Sequence, residues 1–100
     1  MGFEYVALAQ LNPNEVALIV ALLQNDPRYQ VLTTDGSTGL SIRFNRPPTQ
    51  DSWPEDAHIY FDDKICVTFW GGPKEDWYPL LQEVETTLEK IGHRVRFEED

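Results

Sequence analysis

The chain has 100 residues, of which 41% are hydrophobic, with five Phe, four Tyr and three Trp; this is one domain's worth of sequence and enough apolar mass for a core, so disorder along the whole chain is excluded. Seventeen acids against eight bases give a net charge of −9, the wrong sign for gripping a phosphate backbone, so direct nucleic-acid binding is not expected. The longest apolar run, Val16–Leu23, has eight residues where a bilayer needs about 20, so no membrane span is expected.

The acids are unevenly placed. Residues 1–50 carry four acids against three bases, whereas residues 51–100 carry thirteen against five. Such a half attracts cationic partners, and it also simply keeps a protein in solution. The start, Met1-Gly2-Phe3-Glu4-Tyr5, lacks the basic region and small-residue cleavage site of a secretory leader, and Cys66 is the single cysteine. Cytoplasmic residence without an internal disulfide is the expectation.

In chain order, Phe3–Ala9 alternates as a first strand, with Phe3, Tyr5 and Ala7 on one face. Asn12-Pro13-Asn14-Glu15 reads as a helix start: Asn12 at the N-cap, Pro13 at N1, and Glu15 at N3 reaching back to the cap. The helix runs to about Asn25, where Asp26-Pro27 ends it. Val16, Ile19, Val20 and Leu23 face a sheet, which leaves Ala17, Leu18, Ala21 and Leu22 pointing outward. A helix apolar all round is covered on more than one side. Burial beneath a loop, a homodimer seam and a partner groove all fit that pattern.

Arg28–Thr34 is the second strand, 35–39 a glycine-bearing turn, and Leu40–Phe44 the third strand with Leu40, Ile42 and Phe44 inward. Residues 45–56 hold three prolines and form a long loop. Ala57–Phe61 and Ile65–Trp70 form a hairpin. A two-residue loop would pair Phe61 with Lys64. A three-residue loop, Asp62-Asp63-Lys64, instead pairs Phe61 with Ile65, Ile59 with Val67 and Ala57 with Phe69. That register gathers the large aliphatic and aromatic partners on one face, and His58, Tyr60, Cys66, Thr68 and Trp70 on the other. After Gly71-Gly72-Pro73, Trp77, Leu80, Leu81, Val84, Leu88 and Ile91 make the stripe of a second helix. Asp76 is its expected N-cap, which would place Pro79 harmlessly at N3, and Gly92 is its stop. Arg94–Glu98 is the last strand, with Val95 and Phe97 inward. The order β-α-β-β-β-β-α-β predicts a single α+β domain over 1–100. It is a two-layer sandwich with two helices on one face of a mostly antiparallel sheet, and it contains a split βαβ unit.

No catalytic, metal or cofactor motif emerges. His58 and His93 are far apart in sequence, and Asp62-Asp63 lacks the alternating acids and the glycine of a calcium loop. Cys66 and His58 share a sheet face and are the best nucleophile–base pair available, but a lone strand cysteine is commonly a small hydrophobe. The stronger candidate is a surface for a basic protein. Asp51, Trp53, Glu55 and Asp56 lie on the long loop, Asp62 and Asp63 cap the hairpin, and Tyr60 and Trp70 lie on the second sheet face. Aromatic anchors would supply contact energy and acids would steer the encounter. Trp53 could equally fold back as a lid over the core.

Val67-Thr68-Phe69-Trp70-Gly71-Gly72, an acidic helix ending at Ile91-Gly92, and then Val95-Arg96-Phe97-Glu98-Glu99 together resemble the C-terminal part of small bacterial immunity proteins of polymorphic or contact-dependent toxin systems. The resemblance covers roughly residues 57–99 and rests on layout and charge. It implies a cytoplasmic, non-enzymatic protein that binds a cognate toxin and blocks its active site, often a basic nuclease groove. Two other readings stand beside it: an oligomeric small-ligand-binding or enzymatic domain using Tyr60, Trp70 and the first helix, and a phage-type inhibitor that mimics the charge of DNA.

Overall fold

A computed structural model describes residues 3–34, 39–44, 55–70 and 74–100. The chain runs β1 (Phe3–Ala7), α1 (Pro13–Gln24), β2 (Tyr29–Thr34), β3 (Gly39–Phe44), β4 (Ala57–Phe61), β5 (Ile65–Phe69), α2 (Lys74–Lys90) and β6 (Glu98–Glu99). The strands form one sheet in the order β2-β3-β4-β5-β1-β6, and every neighbouring pair is antiparallel. This is an α+β layout consistent with a two-layer sandwich. The segment β5-α2-β6 brackets β1 between two parallel strands, which is the split βαβ unit.

The hairpin adopts the three-residue loop. Ala57 pairs with Phe69, Ile59 with Val67 and Phe61 with Ile65, and all six are buried. They join Tyr5, Ala7, Leu40, Ile42 and Phe44 and the helix residues Val16, Ile19, Leu23, Trp77, Leu80, Leu81, Val84 and Leu88 in one core. At its centre the Trp77 indole stacks on Phe69, with centroids 4.9 Å apart and planes within 11°, and meets Phe3 at 5.1 Å.

Both helix ends follow from local chemistry. The Asn12 carboxamide oxygen accepts the Glu15 N–H at 2.9 Å, and the Glu15 carboxylate accepts the Asn12 N–H at 3.1 Å, so the capping box is complete. At the end of α2, His93 donates its N–H to the Leu88 carbonyl at 2.8 Å and Gly92 to Glu89 at 3.2 Å. This crossed pair is the Schellman arrangement, and Gly92 sits at φ +102° to allow it.

Three expectations are corrected. First, α2 begins at Lys74, so Asp76 lies in its first turn and Pro79 inside the helix. Pro79 therefore cannot make the helical hydrogen bond to the Glu75 carbonyl; the burial and stacking of Trp77 hold the turn in front of it. Second, the last strand is reduced to Glu98–Glu99 at the β1 edge. Val95 and Phe97 are only partly buried against the core, and the Phe97 N–H is taken by the Glu85 carboxylate at 2.7 Å rather than by a strand. Third, β1 stops at Ala7 and Trp70 falls just beyond β5. The turn at 35–38 and most of the long loop, Asp51 and Trp53 included, lie outside the described residues.

Gly92→Ala should destabilise the fold by roughly 1–2 kcal/mol in urea unfolding. A Cβ there meets nothing within 4 Å, so the loss comes from the left-handed backbone alone.

Candidate functional site

The sheet face opposite the core is built from the alternate residues of the same strands. Its rows follow from the pairing: Ser41, His58, Thr68 and Glu4 lie side by side, and next to them run Gly39, Tyr60, Cys66, Val6 and Glu98. Neither helix contributes to this face, because the buried residues of α1 and α2 belong to the core on the other side.

At its centre is a four-membered polar cluster. Glu55 accepts the Trp70 indole N–H at 2.9 Å through Oε1, and its Oε2 lies 3.3 Å from His58 Nδ1. Ser41 Oγ lies 3.1 Å from the same nitrogen. A carboxylate can only accept, so Nδ1 carries a proton. Burial pushes the Glu55 carboxyl up, but hydrogen bonds from Ser41, His58 and Trp70 outweigh it and hold the group below its usual value. The His58 ring lies 4.2 Å from Tyr60, centroid to centroid. Its Nε2 is buried without a hydrogen-bond partner. Gly39 permits this packing: a Cβ at that position would stand 3.2 Å from Nε2 and 3.0 Å from the Ile59 carbonyl.

The cluster has the parts of a nucleophile–base–acid triad but not its geometry. In such a triad the hydroxyl and the acid sit on opposite ring nitrogens; here Ser41 and Glu55 share Nδ1. Cys66 lies diagonal to His58, as the register requires, facing Tyr60 across the ladder. Burial raises its thiol, Glu4, Asp100 and Asp63 add to the rise, and Lys64 opposes it. The neutral thiol therefore dominates near neutral pH, and it is a poor nucleophile.

The adjacent acids Glu55 and Asp56 part company. Asp56 was expected on the exposed loop but is buried, at 8% exposure. Its Oδ2 takes the Phe44 N–H at 2.7 Å, its own N–H goes to Ile42 at 2.9 Å, and its carbonyl takes the Trp70 N–H at 3.1 Å. It ties the ends of β3 and β5 to β4 and is not presented to a partner. Glu55 and Trp70 are engaged with each other and only partly exposed. Tyr60 is 51% exposed, and Asp62 and Asp63 are exposed at the hairpin tip. Glu98 reaches the same row through Val6, and Asp100 is anchored to Glu4 by an N–H···O=C bond of 2.9 Å. The charges of Glu4, Asp63 and Asp100 all register at the Cys66 thiol beside Tyr60. Of the described residues expected to meet a partner, Tyr60, Asp62 and Asp63 are the exposed ones.

Ser41 and Gly39 were not anticipated as members of this face's cluster. Ser41 showed only as an outward position in an alternating strand and Gly39 only as a turn residue. On α1, Val16, Ile19 and Leu23 are buried, Ala17, Leu18 and Ala21 are exposed, and Leu22 is half-buried. Among the described residues no group of three or more His, Cys, Asp or Glu could hold a metal ion, and no helix is long and apolar enough to cross a membrane. Comparison of the chain with family models, curated proteins and solved structures gives no match.

Two outcomes follow. Asp56→Ala should cost about 1–3 kcal/mol in denaturant unfolding, because the buried Phe44 N–H loses its acceptor, and Asp56→Asn should recover much of this. The lowered pKa of Glu55 means that its carboxylate stabilises the fold above the unfolded-state value, and that this contribution disappears as the pH falls through the folded-state value. Urea unfolding of Glu55→Gln from pH 7 to pH 3 should accordingly show a shallower acid limb than the parent, with a loss of about 1–2 kcal/mol at pH 7.

Proposed function

We propose that this chain is an acidic, non-catalytic binding protein of the cytoplasm that occupies a basic protein partner, in the manner of an immunity protein neutralising a cognate bacterial toxin. The observation that carries the reading is the setting of Tyr60, a half-exposed aromatic ring on the sheet face that neither helix covers. Asp62 and Asp63 follow it at the exposed hairpin tip, and Glu98 lies at the far end of its row, across β5 and β1. Tyrosine is a strong contact residue because it adds large area at small entropic cost, and carboxylates around it raise the encounter rate with a cation. The raised Cys66 thiol and the shared Nδ1 of His58 favour binding over nucleophilic catalysis at this face.

A second reading has one observation behind it. Leu18 is 46% exposed and borders a shallow groove with Ala21 and Leu22, which suits a homodimer seam on α1. The two readings use opposite sides of the molecule and are compatible.

The test is co-expression with the product of a neighbouring reading frame that arrests growth when expressed alone. Growth should be restored by this chain and not by a Tyr60→Ala/Asp62→Lys/Asp63→Lys variant. Asp62→Lys/Asp63→Lys alone should slow association with the purified partner about tenfold at low salt, and the difference should shrink above roughly 0.5 M salt. Unimpaired rescue by the triple variant, or an association rate indifferent to salt, would refute the proposal.

A further inference from the structure

The two margins of the sheet differ in chemistry. β6 is two residues long and both are Glu. β2, at the other end of the strand order, has six residues, Tyr29–Thr34, with neither a charge nor a proline among them. Short length, charge and proline are what edge strands use to turn away a foreign strand, and β2 has none of these. Which of its backbone groups face outward follows from the pairing, because successive residues of an antiparallel strand turn their N–H and C=O groups alternately to one side and the other. The Phe44 N–H goes to Asp56 Oδ2 at 2.7 Å, and the Ile42 carbonyl accepts the Asp56 N–H at 2.9 Å. Both residues of β3 thus turn toward β4. Arg43, between them, turns toward β2 and shares its ladder bonds with Gln30, its partner. Tyr29 and Val31, on either side of Gln30, therefore direct their backbone groups away from the sheet.

The Tyr29 N–H is closed off locally by the Asp26 carbonyl at 3.1 Å. Among the described residues no turn or cap bond takes the Val31 N–H or carbonyl. The register shift between Val31 and Thr33 comes after this residue and does not alter its direction. The Val31 side chain is only partly buried against the core, and Leu32 beside it is 37% exposed.

Charge selects the occupant of this edge. From Val16 to Thr34 the only charged residues are Asp26 and Arg28, and they pair with each other at 2.7 Å. The net charge of −9 comes from the rest of the chain. The strand itself holds no carboxylate to draw in a cationic partner. A second copy, repelled by the acidic remainder, meets at β2 a strand without like charges. The edge is also complementary to itself. Residues opposite each other in a hydrogen-bonded antiparallel pair exchange both bonds, so Val31 set opposite Val31 of a second copy donates one N–H and accepts one across a two-fold axis.

We propose that two copies of this chain pair antiparallel through β2, with Val31 opposite its counterpart at the two-fold axis, so that the two sheets become one. The two Val31 side chains then meet on the core face and complete each other's burial. The proposal rests on the homodimer reading of this chain and places its seam on the β2 edge rather than in the α1 groove. It is independent of the partner at the Tyr60 face.

The test combines sedimentation of the full chain from about 5 μM to about 1 mM with amide hydrogen exchange at both ends of that range. The sedimenting mass should rise from 11.6 kDa to twice that value. Association should be severalfold tighter at roughly 0.5 M than at roughly 0.05 M salt, because screening weakens the repulsion between two acidic bodies; the contact proposed for Tyr60 responds in the opposite sense. In the dimer the Val31 amide should exchange at least about tenfold more slowly than in the dilute monomer, whereas the Gln30 amide, bonded within the sheet, should be protected in both. Val31→Lys sets two like charges opposite each other at the axis and should weaken association at least about tenfold, while Leu18→Lys should leave it unchanged. If Val31→Lys does not fold, the exchange pattern of the parent chain decides the matter. A chain that stays monomeric throughout would overturn the proposal together with the homodimer reading. A dimer with an unprotected Val31 amide, dissociated by Leu18→Lys, would overturn the β2 seam alone and leave the α1 seam standing. Protection of Val31 only in a complex with a different protein would overturn the second copy as occupant and assign the edge to that partner's strand.

Discussion

The register of the β4–β5 hairpin is the constraint on which the rest depends. A strand has period two, so slipping Ile59 from Val67 by one residue would turn Ala57, Ile59 and Phe61 to the open face and send His58 and Tyr60 into the core. With the register fixed by the Asp62-Asp63-Lys64 loop, Phe69 meets Trp77 and the α2 stripe closes over the sheet. The same alternation sets the opposite face, where His58, Tyr60, Cys66 and Thr68 stand in two adjacent rows. Core and candidate surface are two consequences of one pairing.

Glu55 and Asp56 illustrate how little sequence proximity says about electrostatic role. Asp56 is drawn inward because the ends of β3 and β5 leave backbone donors that need an acceptor, and one buried carboxylate with its own peptide group serves both ends of the seam. Glu55, one residue earlier, lies over the other face and collects donors from Ser41, His58 and Trp70. Both acids are absorbed by the fold. The charge left for the outside is carried by the hairpin tip, the β6 edge and the exposed side of α2. The net charge of −9 is therefore spread over both sides of the sheet, with the hairpin tip carrying the part beside Tyr60.

The β6 edge also shows that acidity has a structural use. Glu98 and Glu99 occupy a two-residue strand at the margin of the sheet, where charge and short length both discourage a foreign strand from adding on. The binding proposed for the Tyr60 face and the protection of this edge are compatible, because the first would use the sheet's surface and the second its rim.

Much of the fold was legible from local chemistry. Asn12, Pro13 and Glu15 define the start of α1, Gly92 the end of α2, and the apolar partners Ala57/Phe69, Ile59/Val67 and Phe61/Ile65 the hairpin register, because each is a decision made among residues close in the chain. The α2 stripe, the strand faces and the excess of acid after residue 50 were equally readable. The tertiary structure decided what depends on distant neighbours. It started α2 before Pro79, since Trp77 gains its burial from the sheet residues Phe69, Phe3 and Tyr5. It shortened the last strand, because Glu85 of α2 takes the Phe97 N–H. It buried Asp56, assembled Ser41 and His58 from two strands with Glu55 and Trp70 from just outside β4 and β5, and left the Tyr29 hydroxyl enclosed. Periodicity and capping report the chain's local preferences; which acid faces water and which satisfies a backbone donor is settled only when elements far apart in sequence are brought into contact.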